Sequence, residues 1–233
     1  MTPTTDNSAA LEQLEAQISA CRLCPRLTAY REEVARVKRR AYREEEYWGK
    51  PVPGFGDPQA RLLAVGLAPG AHGSNRTGRM FTGDASGDFL FPALHRAGLA
   101  SQPHASHTGD GMRLHGLFMS AACRCAPPDN KPLPSEIETC RPYLEAEINL
   151  LPALQGFVAL GKIGFDWVLD WYKRQGVSTA GVEFGHNRFF APAPGLPWLI
   201  ASYHPSRQNT QTGKLTAAMF DQVWADAVAR LRD

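Results

Sequence analysis

The sequence predicts an α/β protein: a three-layer α/β/α arrangement in which helices cover both faces of a central four-stranded parallel sheet. Two observations predict it. Four short apolar runs, Leu62–Leu67, Gly116–Ala121, Phe157–Leu160 and Trp198–Tyr203, lack the polar alternation of half-exposed strands. Helical segments at Ser86–Ala97, Ser135–Leu150, Ile163–Lys173 and Ala217–Leu231 lie between or after them, and such alternation builds a parallel sheet.

The first element follows a segment, residues 1–8, that is expected to be disordered. Residues 9–233 are then expected to form a single domain. Ala9–Ala20 reads as an amphipathic helix with Leu11, Leu14 and Ile18 on one face, delivering Cys21 at its end. Thr28–Tyr47 is dense in Arg, Lys and Glu and is expected to be a solvated helix with internal charge pairs. Pro51–Pro58 is a turn-rich connector, and Ser101–Arg113, with its His, Ser and Gly residues, a surface loop.

The bulk properties exclude little beyond a membrane span. No apolar run approaches the roughly 20 residues that a span requires. The N-terminus lacks the basic and apolar regions of a signal peptide, so the expected location is the cytoplasm, with reduced thiols. A formal charge of +2 permits a nucleic-acid partner without demanding one.

Two constellations carry chemistry. The block from Gly66 to Asp84 follows the first apolar run and holds five glycines, two arginines and one acid. Ligands of open α/β sheets sit beyond strand carboxyl ends, where glycines let backbone N–H groups approach them. His204-Pro205-Ser206 stands at the end of another strand, so both loops are expected to serve one site. The second constellation is Cys21-x2-Cys24 with Cys125-x14-Cys140, two pairs that favour a metal in a reducing compartment. Spacing leaves zinc and an iron–sulfur cluster both open. Ser135 and Glu138 form a capping-box pattern after Pro134, placing Cys140 in the second turn of a helix. Cys123 is left over, as a small buried hydrophobe.

Taken together, these motifs resemble the uracil-DNA glycosylase superfamily, and most closely its family five, the type b enzymes. The resemblance rests on Cys21-x2-Cys24-Pro25-Arg26-Leu27, the connector Pro53-Gly54-Phe55-Gly56-Asp57-Pro58 and the block GLAPGAHGSNRTGRMFTGD at 66–84. It rests also on Cys125-Ala126-Pro127-Pro128-Asp129-Asn130-Lys131 and on His204-Pro205-Ser206. It implies a 4Fe–4S cluster on Cys21, Cys24, Cys125 and Cys140. It further implies excision of deaminated bases from DNA in base excision repair; uracil and hypoxanthine are the expected substrates, in double-stranded and single-stranded DNA, and the protein is expected to be a monomer. The chain departs from its wider relatives at Leu67 and Ala68, where family one carries GQDPY and family four GEAPG. Ala121 replaces the asparagine that family four has four residues before the third cysteine.

Breaking an N-glycosidic bond places positive charge on the sugar and negative charge on the leaving base. Asp84 is expected to orient or deprotonate water and stabilise the cation, or else simply to N-cap the following helix. His204 is expected to donate to the base oxygen, helped by the backbone of Gly66, Leu67, Ala68, Pro69 and Gly70. Asn130 would hydrogen-bond sugar, water or base, or would shape its turn. Phe81 would stack on an extruded base, and His72 and Asn75 would contact it. Arg76 and Arg79 would meet DNA or form salt bridges, while Ser206, Arg207, Gln208 and Asn209 would enter the minor groove. Gly70, Ala71 and Ala121 leave room for larger bases. Two other classes remain open: a non-catalytic lesion-binding protein, and a zinc-stabilised nucleotide hydrolase whose loop lacks the GKS/T ending of a Walker motif.

Overall fold

A computed structural model describes residues 7–231. In chain order the elements are α1 (Ser8–Ala20), α2 (Pro25–Val37), β1 (Phe55–Gly56), β2 (Leu62–Gly66), α3 (Ser74–Thr77) and α4 (Ala85–Arg96). Then come β3 (Leu117–Ala121), α5 (Pro134–Asn149), β4 (Gly156–Leu160), α6 (Lys162–Arg174), β5 (Arg188–Phe190), β6 (Trp198–Ser202), α7 (Arg207–Gln211) and α8 (Ala217–Ala229).

The strands form one sheet in the order β1-β3-β2-β4-β6-β5. Its inner four are parallel and match the four apolar runs, with Val65 opposite Ser120 on one side and Ala159 on the other. Every residue of β2, β3 and β4 is buried, as continuous apolar runs in a doubly covered sheet require. The expected four-stranded sheet is corrected to six, because β1 and β5 extend its edges in antiparallel sense. Two- and three-residue strands are too short to show a period, and β1 lies inside the proline-rich connector.

Helices α4 and α8 cover one face through Leu90, Leu94, Phe220 and Trp224. On the other, α1, α5 and α6 pack Leu11, Leu144, Phe165 and Tyr172 against Leu63, Val65 and Phe157. A Cβ on Gly164 would collide with the Val65 carbonyl, so this glycine lets α6 lie directly on β2. The chain leaves β2 for β3 on one side and later adds β4 on the other. That reversal opens a crevice at the carboxyl ends.

Three local expectations change, and the 101–113 surface loop gains a fixed shape. Ser8 belongs to α1, while residues 1–6 lie outside the described residues. The charged segment is not one helix: α2 ends at Val37, and its Thr28 and Arg31 are buried. Leu133, not Ser135, is the N-cap of α5; its N–H donates to Glu136 Oε2 at 2.7 Å, and Pro134 takes the first helical position. The 101–113 loop is pinned by Asp110, which accepts from the N–H groups of Ser106 and Met112. No helix among the described residues is long and apolar enough to cross a membrane.

Because Gly164 admits no side chain without separating α6 from β2, Gly164→Ala is expected to cost about 1–3 kcal/mol. Urea unfolding monitored by circular dichroism measures this as a lower midpoint with unchanged slope.

Candidate active site

At the carboxyl ends of β2, β3 and β6 lies a cavity of about 530 Å³. Leu67, Ala68, Gly70, Phe81 and Asp84 line it from the glycine loop, and Ala121 from the end of β3. Asn130, His204, Ser206, Arg207 and Gln208 complete the predicted wall, so the two loops do serve one site. Ser74, Met80, Ala85 and Ser86 line it as well and were not foreseen. Each adjoins a motif residue, but only the fold shows which neighbour turns inward. A larger groove, about 1050 Å³, is lined by Leu154, Pro192, Trp198 and Arg230 among others and holds no acid, histidine or thiol.

Phe81 is fixed by local geometry. Its ring lies against the end of β2, where a Cβ on Gly66 would stand 2.6 Å from Phe81 Cζ. Its φ of 53° is left-handed, an uncommon conformation for a bulky residue and one that aims the ring at the cavity. Gly66 is therefore a seat for Phe81 rather than a lining residue, and Pro69 likewise stays out of the wall.

Four other expected contact residues belong to the frame. His72 Nδ1 lies 3.1 Å from Tyr47 Oη. Asn75 is fully buried, and its Nδ2 donates to Arg31 O at 3.2 Å. Arg76 pairs with Glu45, donates to Gly83 O at 2.9 Å and stacks over Tyr42. Arg79 is buried and donates to both oxygens of Asp110, at 2.6 and 2.8 Å; against desolvation, its guanidinium and the N–H groups of Ser106 and Met112 hold that acid well below the usual carboxylate range. None of the four lines the cavity. The segment after α2 clamps the same loop: the N–H groups of Trp48 and Gly49 donate to Arg76 O and Asn75 O. Both residues lie just beyond the charged stretch Thr28–Tyr47.

The chemistry concentrates in Asp84 and His204. Asp84 Oδ1 accepts from Ser86 N at 2.9 Å and Gly87 N at 3.2 Å, an N-cap for α4. Its Oδ2 lies against the glycine loop, where a Cβ on Gly70 would come within 2.7 Å and one on Gly73 would collide. Burial raises its pKa above the ordinary carboxylate value, opposed by the cap hydrogen bonds. Desolvation lowers His204 to about 4, so its imidazole is neutral at neutral pH. The His204 ring sits 6.3 Å from that of Phe81, tilted by 32°, and its backbone carbonyl is held by Asn209 Nδ2 at 2.9 Å. Asn209 thus fixes the histidine loop, while Ser206 both lines the cavity and caps α7. Exposed Arg207 and Gln208 stand at the rim, and exposed Asn130 reaches it from a left-handed turn, φ 55°. The N–H groups of Ala68 and Gly70 have no backbone partner among the described residues.

A second, small cavity is lined by Cys21, Cys24, Cys125 and Cys140 together, from the ends of α1, the start of α2, the segment after β3 and α5. Among the described residues, no three His, Cys, Asp or Glu side chains converge into a site for a single metal ion. Burial pushes the Cys125 thiol up to about 12, while burial and the neighbouring thiols raise Cys24. A set of thiolates held in such surroundings needs a bound cation to offset their charge. Buried polar atoms without partners, Thr28 Oγ1 and Nε and Nη1 of Arg124, belong to residues lining the same cavity. The donor set therefore fits a group of iron and sulfide. Cys123 is fully buried and lies outside the lining; its thiol and the Arg124 backbone N–H favour the ionised form of Cys140 and lower that thiol from its ordinary value.

This sheet, with a cavity at its switch point and a glycine loop over a capping acid, is that of a known class. A family model for the uracil DNA glycosylase superfamily matches residues 53–228, and the chain belongs to that superfamily. It is 55% identical over 210 residues to a type-5 uracil-DNA glycosylase of Thermus thermophilus, covering 90% of this chain and 93% of the relative. A type-5 uracil-DNA glycosylase of Mycobacterium tuberculosis is 49% identical over 92% of this chain and 80% of its own. A type-4 enzyme of Pyrobaculum aerophilum is 30% identical over 74% and 71%.

Asp84→Asn keeps the Oδ1 acceptor of the cap but removes a charge that burial disfavours. A carboxyl with a raised folded-state pKa stabilises the fold below its unfolded pKa and loses that contribution as pH rises through the folded one. At neutral pH the variant is therefore expected to melt at or above the wild-type temperature by calorimetry, the difference shrinking as pH falls towards the usual carboxylate range.

Proposed function

We propose that this chain hydrolyses the N-glycosidic bond of uracil in DNA, and of hypoxanthine as well, as the first step of base excision repair. The observation that carries it is the meeting of Asp84, His204 and Phe81 in one cavity of a superfamily member. An extruded base stacks on Phe81, and neutral His204 donates a hydrogen bond to its carbonyl oxygen as negative charge develops there. The free N–H groups of Ala68 and Gly70 supply further donors. The C1′–N bond breaks with its electron pair leaving on the base, and Asp84 stabilises the cationic sugar. Asp84 Oδ2 orients a water whose oxygen bonds to C1′ and whose proton passes to the carboxylate and then to solvent. Asn130 holds the water or the sugar. Arg207 and Gln208 fill the gap left in the duplex.

Ala121, Leu67 and Ala68 present no side-chain amide or acid that would reject a base lacking uracil's hydrogen-bonding pattern. Strong rejection requires buried polar groups that the wrong base leaves unpaired. We therefore place both pyrimidine and purine deamination products in the substrate range, on double-stranded and single-stranded DNA, with the protein acting as a monomer. Cys21, Cys24, Cys125 and Cys140 hold a 4Fe–4S cluster. Its part is structural, since four protein thiolates leave no open coordination position. This reading places the protein in the cytoplasm, beside the chromosome.

Single-turnover reactions on duplexes containing uracil or hypoxanthine, with alkali cleavage of the abasic product, test it. Excision of both bases is expected; binding without strand scission would instead describe a lesion-binding protein. Asp84→Asn should slow excision by at least about 100-fold. In the wild type the rate should fall as pH drops through the raised pKa of Asp84, because only the carboxylate serves.

A further inference from the structure

Two buried arginines flank the cysteine cavity with donors the protein leaves unused. Arg124 lies between Cys123 and Cys125 and is 1% exposed. Its Nη2 pairs with Glu147 Oε2 at 2.6 Å, while Nε and Nη1 find no partner. Glu147 does not need them, because Ser120 Oγ and Gly54 N also donate to it, at 2.6 and 3.1 Å. Arg31 is 2% exposed. Its Nη1 donates to Gly49 O and Nη2 to Cys21 O at 3.3 Å, while Nε is unpartnered. Its charge lies 3.4 Å from Glu32, a partly exposed acid whose main partner is Arg22. Leaving buried N–H donors unmade costs about 1–3 kcal/mol each, more on charged groups, so these positions require a further acceptor.

The acceptor's chemistry follows from the neighbours. Arg31 Nη2 reaches the backbone carbonyl of the ligand residue Cys21, Arg124 lines the cavity beside Cys125, and the Cys140 sulfur accepts from the Arg124 backbone N–H at 3.3 Å. Arg124 is thus part of the cavity wall, and Arg31 stands behind it, against Cys21. A cluster held by four thiolates carries net negative charge, and hydrogen bonds to its sulfurs tune its potential.

We propose that Arg31 and Arg124 are the N–H donors and counter-charges of an iron–sulfur cluster on Cys21, Cys24, Cys125 and Cys140, and that they set its reduction potential and its retention. This rests on the cluster assignment above. Donors that neutralise the cluster favour its more negative, reduced form, so losing them lowers the potential.

The test uses anaerobically purified full-length protein, with Arg31→Lys and Arg124→Lys, and Arg36→Lys on the surface as control. Each lysine keeps the charge but presents fewer and differently placed donors. Expected are a potential shifted negative and loss of iron to a chelator roughly tenfold faster in both buried variants, unchanged in the control. In the wild type, iron–sulfur Raman bands should shift on transfer to deuterated water, a measurement that stands even where Arg124→Lys fails to fold. Iron and sulfide present, with no deuterium shift and unaltered potential and chelator loss in Arg31→Lys, overturns this inference alone. Stoichiometric zinc without iron overturns the cluster assignment and the inference with it.

Discussion

The Asp84 carboxylate is the point on which the site depends. One oxygen terminates α4 and the other is enclosed by the glycine loop, so helix, loop and cavity share a single side chain. The loop closes around it only because positions 70 and 73 have no Cβ to intrude. The arrangement spends stability, since a carboxylate held away from water resists ionising, and it yields a group more basic than a surface acid. Conflict of that kind between local comfort and placement is what a functional site shows when the rest of a chain is consistent.

Much of this was legible in the residues. Four inner strands, their helices, the meeting of the glycine and histidine loops and the gathering of four cysteines all follow from local patterns, which encode period and spacing. Asp84 was legible as either a cap or an acid of the site; one oxygen makes the cap and the other is left beside the glycine loop. What escaped depends on contacts between distant segments. Arg79 and Asp110 are 31 positions apart, and nothing local announces that they clamp one another. Trp48 and Gly49 hold the loop through backbone bonds, which leave little trace in side-chain pattern. The strands β1 and β5 exist because a neighbouring edge offers unpaired groups, not because their own residues demand extension.

Buried charge pairs do the positioning. Arg79 with Asp110, and Arg124 with Glu147, each sit below a tenth exposed and each joins a loop to another part of the fold. Desolvation offsets most of the Coulomb gain in such pairs, so their effect lies in excluding other arrangements of the loops they hold. Glu147 gathers donors from Gly54, Ser120 and Arg124, tying the connector, β3 and the cysteine-bearing segment to α5.

The cysteine cavity draws its walls from both ends of a long stretch of chain. Cys21 and Cys24 leave the ribosome roughly 100 residues before Cys125, which at about 5–20 residues per second is a delay of some seconds to tens of seconds. During that interval the first pair of thiols has no partners and α1 has no α5 to rest on. The N-terminal helices, though made first, thus wait for α5, and until it emerges the nascent chain's earliest thiols stand open to oxidants and stray metals.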